Sequence, residues 1–221
     1  MDLVIFDLDG TLIDSKLDLA HSVNATRSWL GLGPLDNELV YSYVGNGAPV
    51  LIRRALGPEF GDADVERALE YFLNYYREHM LDHTALYPGM RECLERLRGE
   101  GVQLAVLTNK PVRFSSAILE GLGVRDFFFR VYGGNSFEQK KPHPAGVVKL
   151  LEESGAARDR TLLVGDSAVD VRTARNAGVR SCGVTYGFQP ETFREEPPDF
   201  LVDRPEELAE LVIAERRGAR Q

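Results

Sequence analysis

Short apolar runs alternate with helical patterns along most of this chain, and that alternation constrains its fold more than any other feature. Leu3 to Phe6 is apolar throughout and ends at Asp7. Val102 to Leu107 ends at Thr108, and Thr161 to Val164 ends at Gly165-Asp166. Shorter runs follow at Ser181 to Thr185 and Phe200 to Val202, and Val131-Tyr132 is a further strand candidate. Runs of this length without polar alternation read as strands buried on both faces, as in a parallel sheet. Helical patterns fill the intervals at about 89–100, 112–122, 144–154, 168–177 and 205–216. Strand and helix in turn predict an α/β architecture with right-handed crossovers.

Residues 16–82 break the rhythm. Helical segments are expected at about 17–31, 36–43, 47–56 and 63–80, with no convincing strand. The chain therefore reads as a core of 1–15 and 83–221 with an all-helical domain, 16–82, inserted after the first strand. The connections fall near Leu12 to Ser15 and Asp82 to Pro88. The charged residues 215–221 are expected to fray.

Composition excludes several classes. At 221 residues the chain can bury a core without staples. Thirty-four acidic against 26 basic residues leave a formal charge of -8, which argues against nucleic acid and anionic membranes as partners. No run of about 18 apolar residues suggests a membrane span. The start Met1-Asp2-Leu3-Val4 has no basic n-region, so a cytoplasmic location is expected. Cys93 and Cys182 lack metal-ligand spacing and read as buried small residues of a reduced protein.

The chemistry gathers where strands end. In Asp7-Leu8-Asp9-Gly10-Thr11 the two carboxylates leave an extended segment on one side. Held so close, they repel unless a cation or a proton intervenes. Taken alone, the segment is also an ordinary Asp-Gly turn. Gly165-Asp166-Ser167-Ala168-Val169-Asp170 follows another buried strand. Asp166 fits a helix cap there, and Asp170 lies one turn on. An oxygen-rich cluster of Asp7, Asp9 and Asp166 suits Mg²⁺. Thr108-Asn109-Lys110-Pro111 offers a hydroxyl and backbone N–H groups near a helix start, which suits an anion or a simple cap. Lys140-Lys141-Pro142-His143-Pro144 precedes a helix, and a lysine there becomes a point-charge clamp if phosphate is near. Together the four segments describe phosphoryl transfer through an aspartate.

In order and spacing, Asp7-x-Asp9-Gly10-Thr11, Thr108-Asn109, Lys141-Pro142 and Gly165-Asp166-x-x-x-Asp170 resemble the four motifs of haloacid dehalogenase-like phosphatases. The resemblance spans residues 3 to about 203. It implies a Rossmann-like core with a helical cap inserted between the first two motifs. It implies Asp7 as nucleophile, Asp9 as general acid and then base, and Mg²⁺ bound by Asp7, the Asp9 carbonyl and Asp166. Thr108 and the Asn109 amide are expected to hold the phosphoryl group, and Lys141 to bridge nucleophile and phosphate. Thr11 and Asp170 are expected to support the site, Asp170 from its helix. Lys140 then reads as a solvated neighbour and His143 as an early-helix residue. Dehalogenases lack the second aspartate, which is present here as Asp9. Phosphonate-cleaving members need a cap lysine, and residues 17–109 contain none.

Within the group, Tyr43-Val44-Gly45-Asn46-Gly47-Ala48 and Leu51-Ile52-Arg53-Arg54-Ala55-Leu56 look like the cap of phosphoglycolate phosphatases. Asn135 after Gly133-Gly134, where an acid is usual, and Pro49 in the cap loop depart from that pattern. Gly45 and Asn46 at a helix start could hold a substrate carboxylate, with Arg54 or Arg27 as its partner. Phe72, Tyr75 and Tyr76 read as cap packing. The expected substrate is a small phosphorylated carboxylate, 2-phosphoglycolate. A sugar-phosphate phosphatase, a pyrophosphatase and a phosphomutase are alternatives, and a phosphorylation sensor or inert regulator is a remote one. A monomer or homodimer is expected.

Overall fold

A computed structural model describes residues 1–218. The chain divides into two compact units, Asp14–Ala85 and the residues on either side of it. In chain order the elements are β1 (Leu3–Phe6), β2 (Ile13–Asp14), α1 (Lys16–Trp29), α2 (Asn37–Tyr41), α3 (Ala48–Leu56), α4 (Asp62–His79) and β3 (Ala85–Leu86). They continue with α5 (Met90–Gly99), β4 (Gln103–Leu107), α6 (Val112–Gly121), β5 (Arg130–Tyr132), α7 (Ala145–Ser154), β6 (Thr161–Gly165) and α8 (Ala168–Ala177). Last come β7 (Arg180–Val184), β8 (Phe200–Val202) and α9 (Pro205–Gly218). The expected fraying from residue 215 is not seen up to Gly218, which is helical; residues 219–221 lie outside the described residues.

Six strands form one sheet in the order β5-β4-β1-β6-β7-β8, with every pair parallel. Numbered along the chain within this sheet, the order is 3-2-1-4-5-6, the doubly wound Rossmann arrangement. Connections run one way from β1 to β5 and the other way from β6 to β8. The crevice at the C-terminal end of β1 is therefore the switch point where such sheets bind ligands. Register brings the strand ends level, since Phe6 pairs with both Val106 and Val164.

All four residues of β1 are fully buried, because both sheet faces are covered. Leu3 and Ile5 share a core with Ala105, Leu107, Val147, Leu150, Leu163 and Ala174, which brings α7 and α8 onto one face. Phe6 points to the other face and meets Phe128 edge-on, with ring centroids 6.3 Å apart.

Asp14–Ala85 is built from α1 to α4, with α1 and α3 packed on α4. Phe72 and Tyr76 are buried and stacked at 5.7 Å. Tyr75 packs as expected, but at the surface of the unit rather than in its core. It is partly exposed, in a ladder of rings running Trp29, Tyr71, Tyr75 and His79. The strands β2 and β3 pair as a second, two-stranded sheet. At two residues each they are too short to leave an alternation in the sequence.

The two departures in sequence acquire structural reasons. Pro49 lies in the first turn of α3, where its missing N–H has no intrahelical role. Asn135 Oδ1 accepts the Val112 N–H at 2.9 Å and so satisfies a donor at the start of α6.

Candidate active site

Asp7 is the first residue beyond β1, and its N–H still donates to the Val164 carbonyl of β6 at 2.9 Å. The backbone is thus fixed while the carboxylate leaves the sheet edge. Asp166 follows the end of β6, and Asp170 comes from the first turn of α8. One carboxylate oxygen from each of these three lies within 4.8 Å of the others. Lys141, buried before α7, places Nζ 2.9 Å from Asp7 Oδ1 and 2.6 Å from Asp170 Oδ1. The Lys141-Pro142 peptide is cis, and two amide donors hold the segment. Asn109 Nδ2 donates to the Lys141 carbonyl at 3.2 Å, and Asn176 Nδ2 to the Pro142 carbonyl at 2.9 Å.

Two glycines make room for the carboxylates. Gly10 adopts φ +80°, and a Cβ there would strike the Asp166 carboxylate. A Cβ on Gly165 would strike the Asp170 carboxylate in the same way.

Crowding sets the electrostatics. Burial pushes Asp7 up from 3.8 to about 6; the Lys141 ammonium opposes this and the Asp170 charge adds to it. Burial, then the charges of Asp170 and Asp7, raise Asp166 well above the usual carboxylate range. For Lys141, burial acts downward, but Asp170 and Asp7 outweigh it and hold the ammonium above the ordinary lysine value. With all three carboxyls ionised, one lysine would leave two negative charges uncompensated. A divalent cation with a preference for oxygen would balance them, so Asp7, Asp166 and Asp170 fit such an ion.

The structure refines or corrects several sequence-based expectations. Asp170 supports the site from its helix as expected, and does so by direct contact with Lys141 as a member of the carboxylate cluster. Asp166 is not the helix cap. Ser167 holds that position, its hydroxyl donates to Asp170 Oδ2 at 2.8 Å, and Asp166 Oδ2 accepts the Phe188 N–H at 2.6 Å. The Asp9 carboxylate stands apart from the cluster. It is held by Lys110 Nζ at 2.9 and 3.0 Å, which departs from a three-carboxylate cluster with Asp7 and Asp166 but agrees with the backbone-carbonyl role that the resemblance implies. Lys110 was missed in the sequence, although it lies two residues beyond Thr108 at a strand end level with that of β1. His143 precedes α7 rather than lying within it, and its Nδ1 accepts the Ala145 N–H at 3.2 Å.

Thr108 and Asn109 are buried, with Thr108 Oγ1 accepting the Lys110 N–H at 3.3 Å. Thr11 is fully buried, and its hydroxyl has no hydrogen-bond partner among the described residues. Gly45, Asn46 and Arg54 belong to the helical unit. Gly45 and Gly47 both have positive φ and lead into α3. Arg54 lies in the last turn of that helix, exposed and about 10 Å further along its axis. Arg27 is committed elsewhere, donating to the Gly33 carbonyl at 2.7 Å and to the Ala55 carbonyl.

A family model described as haloacid dehalogenase-like hydrolase matches residues 4–184. A phosphoglycolate phosphatase of Pseudomonas putida is 43% identical over 208 residues, covering 91% of this chain and 76% of its own. One from Vibrio vulnificus is 40% identical over 220 residues and 96% of both chains. Among solved structures, a predicted phosphoglycolate phosphatase of Haemophilus somnus superposes with a TM-score of 0.90 at 34% identity, covering 96% of this chain and 97% of that one.

Proposed function

The chain belongs to the haloacid dehalogenase-like hydrolase family, and we propose that it hydrolyses 2-phosphoglycolate to glycolate and phosphate through an aspartyl phosphate on Asp7. The observation that carries the reading is the buried lysine at the switch point, bonded at once to Asp7 and Asp170 beside Asp166.

An Asp7 oxygen forms the new bond to phosphorus as the bond to the glycolate oxygen breaks. Asp9 donates a proton to that departing oxygen. Asp9 then takes a proton from water, the water oxygen bonds to phosphorus, and the Asp7–phosphorus bond breaks. Asp7 is restored and phosphate leaves. Lys141 neutralises the growing charge and keeps the nucleophile in place, while Thr108 and the Asn109 amide hold the phosphoryl oxygens. Thr11 supports the Asp9 turn. When bound by Asp7, Asp166, Asp170 and the Asp9 carbonyl, Mg²⁺ supplies further charge neutralisation to the phosphoryl group.

The names of the relatives at 40–43% identity support the substrate. Gly45 and Asn46, in the Gly45-Asn46-Gly47 loop, remain the residues we assign to the substrate carboxylate, with Arg54 in a lesser role. The protein acts as a monomer or homodimer in the cytoplasm, without nucleic acid or membrane as partner. No helix among the described residues is long and apolar enough to cross a membrane, and two buried thiols suit a reducing compartment.

The test is phosphate release with Mg²⁺ across small phosphoesters. A clear preference for 2-phosphoglycolate is expected. Preference for a hexose phosphate or pyrophosphate would overturn the substrate, and the absence of any release would overturn the enzyme.

A further inference from the structure

We propose that the helical unit carries a separate metal site, for Zn²⁺, built from Asp18, His21 and His83. The helix α1 places Asp18 and His21 three residues apart on one face. His83 arrives from the segment that follows α4. One ligand atom from each of the three lies within 4.8 Å of the others. The imidazoles meet edge to face, with centroids 5.4 Å apart.

Asp18 is the buried anchor, at 1% exposure. Its Oδ2 accepts the Thr84 N–H at 2.8 Å and the Thr84 hydroxyl at 2.7 Å. Its Oδ1 meets His83 Nδ1 at 2.8 Å. The His83 N–H lies 3.0 Å from both oxygens. One carboxylate oxygen is therefore fixed by Thr84 while the other faces an imidazole nitrogen. Both rings are open to solvent, so an ion can reach them.

Two imidazoles and a carboxylate with an open position for water form the donor set of open zinc sites. The same set is poor for Mg²⁺, which prefers oxygen. Donors on a tetrahedral zinc lie roughly 3.3 Å apart, given bond lengths of about 2.0–2.1 Å. Asp18 Oδ1 and His83 Nδ1 are already near that spacing, and the exposed ring of His21 turns to complete it. On binding, the proton on His83 Nδ1 is exchanged through solvent to Nε2, and the metal takes its place between nitrogen and carboxylate.

Zn²⁺ is titrated into the full-length protein by calorimetry, in excess Mg²⁺ to occupy the carboxylate cluster of the core. One equivalent is expected to bind, at least tenfold more weakly in His21→Gln and in His83→Gln. It is expected to survive in Asp166→Asn. Because His21 is exposed, its variant tests the site without disturbing the hydrogen bonds of Asp18, and its unchanged melting temperature without zinc confirms the fold. Unaltered zinc binding in His21→Gln, or its loss in Asp166→Asn, would overturn the proposal.

Discussion

Replacing Asp7 by Asn is expected to destroy turnover and, without metal, to make the protein more stable. Burial holds the Asp7 carboxyl at about 6 against 3.8. Its ionised form is then disfavoured in the folded chain by about 3 kcal/mol, at about 1.4 kcal/mol for each tenfold. The sign follows from proton binding. The folded chain keeps this proton where the unfolded chain has lost it, so stability falls as pH rises from 3.8 to about 6 and the loss is complete above that. Asn carries no such charge, and its side-chain oxygen can still accept from Leu8 and Lys141. In a chelator at pH 8, Asp7→Asn should be more stable by about 3 kcal/mol, or about 6–12 °C in melting temperature for a chain of this size. At pH 4 the difference should nearly vanish. Excess Mg²⁺ should close the gap at pH 8, because the ion stabilises the wild type through a ligand the variant lacks. The assay is thermal denaturation by circular dichroism at both pH values, with phosphate release measured alongside. A variant no more stable than wild type at pH 8 in chelator would refute the claim that these carboxylates oppose folding. Retained turnover would remove Asp7 as the nucleophile.

Other substitutions test separate parts of the site and fold. Asp9→Asn should slow release most for esters with poor leaving groups; equal losses on activated aryl phosphates would argue against its role as acid. Gly10→Ala should weaken metal binding and turnover together, since φ is +80° and the added carbon meets the Asp166 carboxylate; wild-type metal affinity would count against that packing. Asp18→Ala should cost about 3 kcal/mol in urea denaturation, because it strands the buried Thr84 N–H and hydroxyl and releases the His83 N–H. Burial opposes ionisation of Asp18, but those donors outweigh it and hold the carboxyl below its ordinary value. Its stabilisation is therefore present above about pH 4 and lost as pH falls through the lowered value; an acid melting profile identical in Asp18→Ala would contradict this. Cys93 and Cys182 are both pushed up to about 12 by burial, so neither thiol should react with an alkylating reagent at pH 8 until the protein unfolds.

Much of this molecule was legible in one dimension. Leu3 to Phe6 has no polar alternation because helices cover both faces of the sheet, and that pattern is local. The switch point is equally legible, since Asp7, Thr108 and Asp166 each follow an apolar run directly. Pairing between side chains distant in sequence was not legible. Lys110 and Asp9 are 101 residues apart in sequence, and nothing local distinguishes a lysine that clamps a carboxylate from one that is solvated. Asp170 read as support because its spacing from Asp166 fits one helical turn; only the approach of Lys141 brings it into direct contact with the site. The arginines show the same limit. Arg27 and Arg54 are alike as charges, yet one bonds two carbonyls of its own unit and the other is exposed at the end of α3. The sequence by itself determined the strand ends and the residue types that stand there, because periodicity and chain order are properties of neighbours. Tertiary structure alone decided which ammonium meets which carboxylate and how far burial shifts their protons, because both depend on distances across the fold.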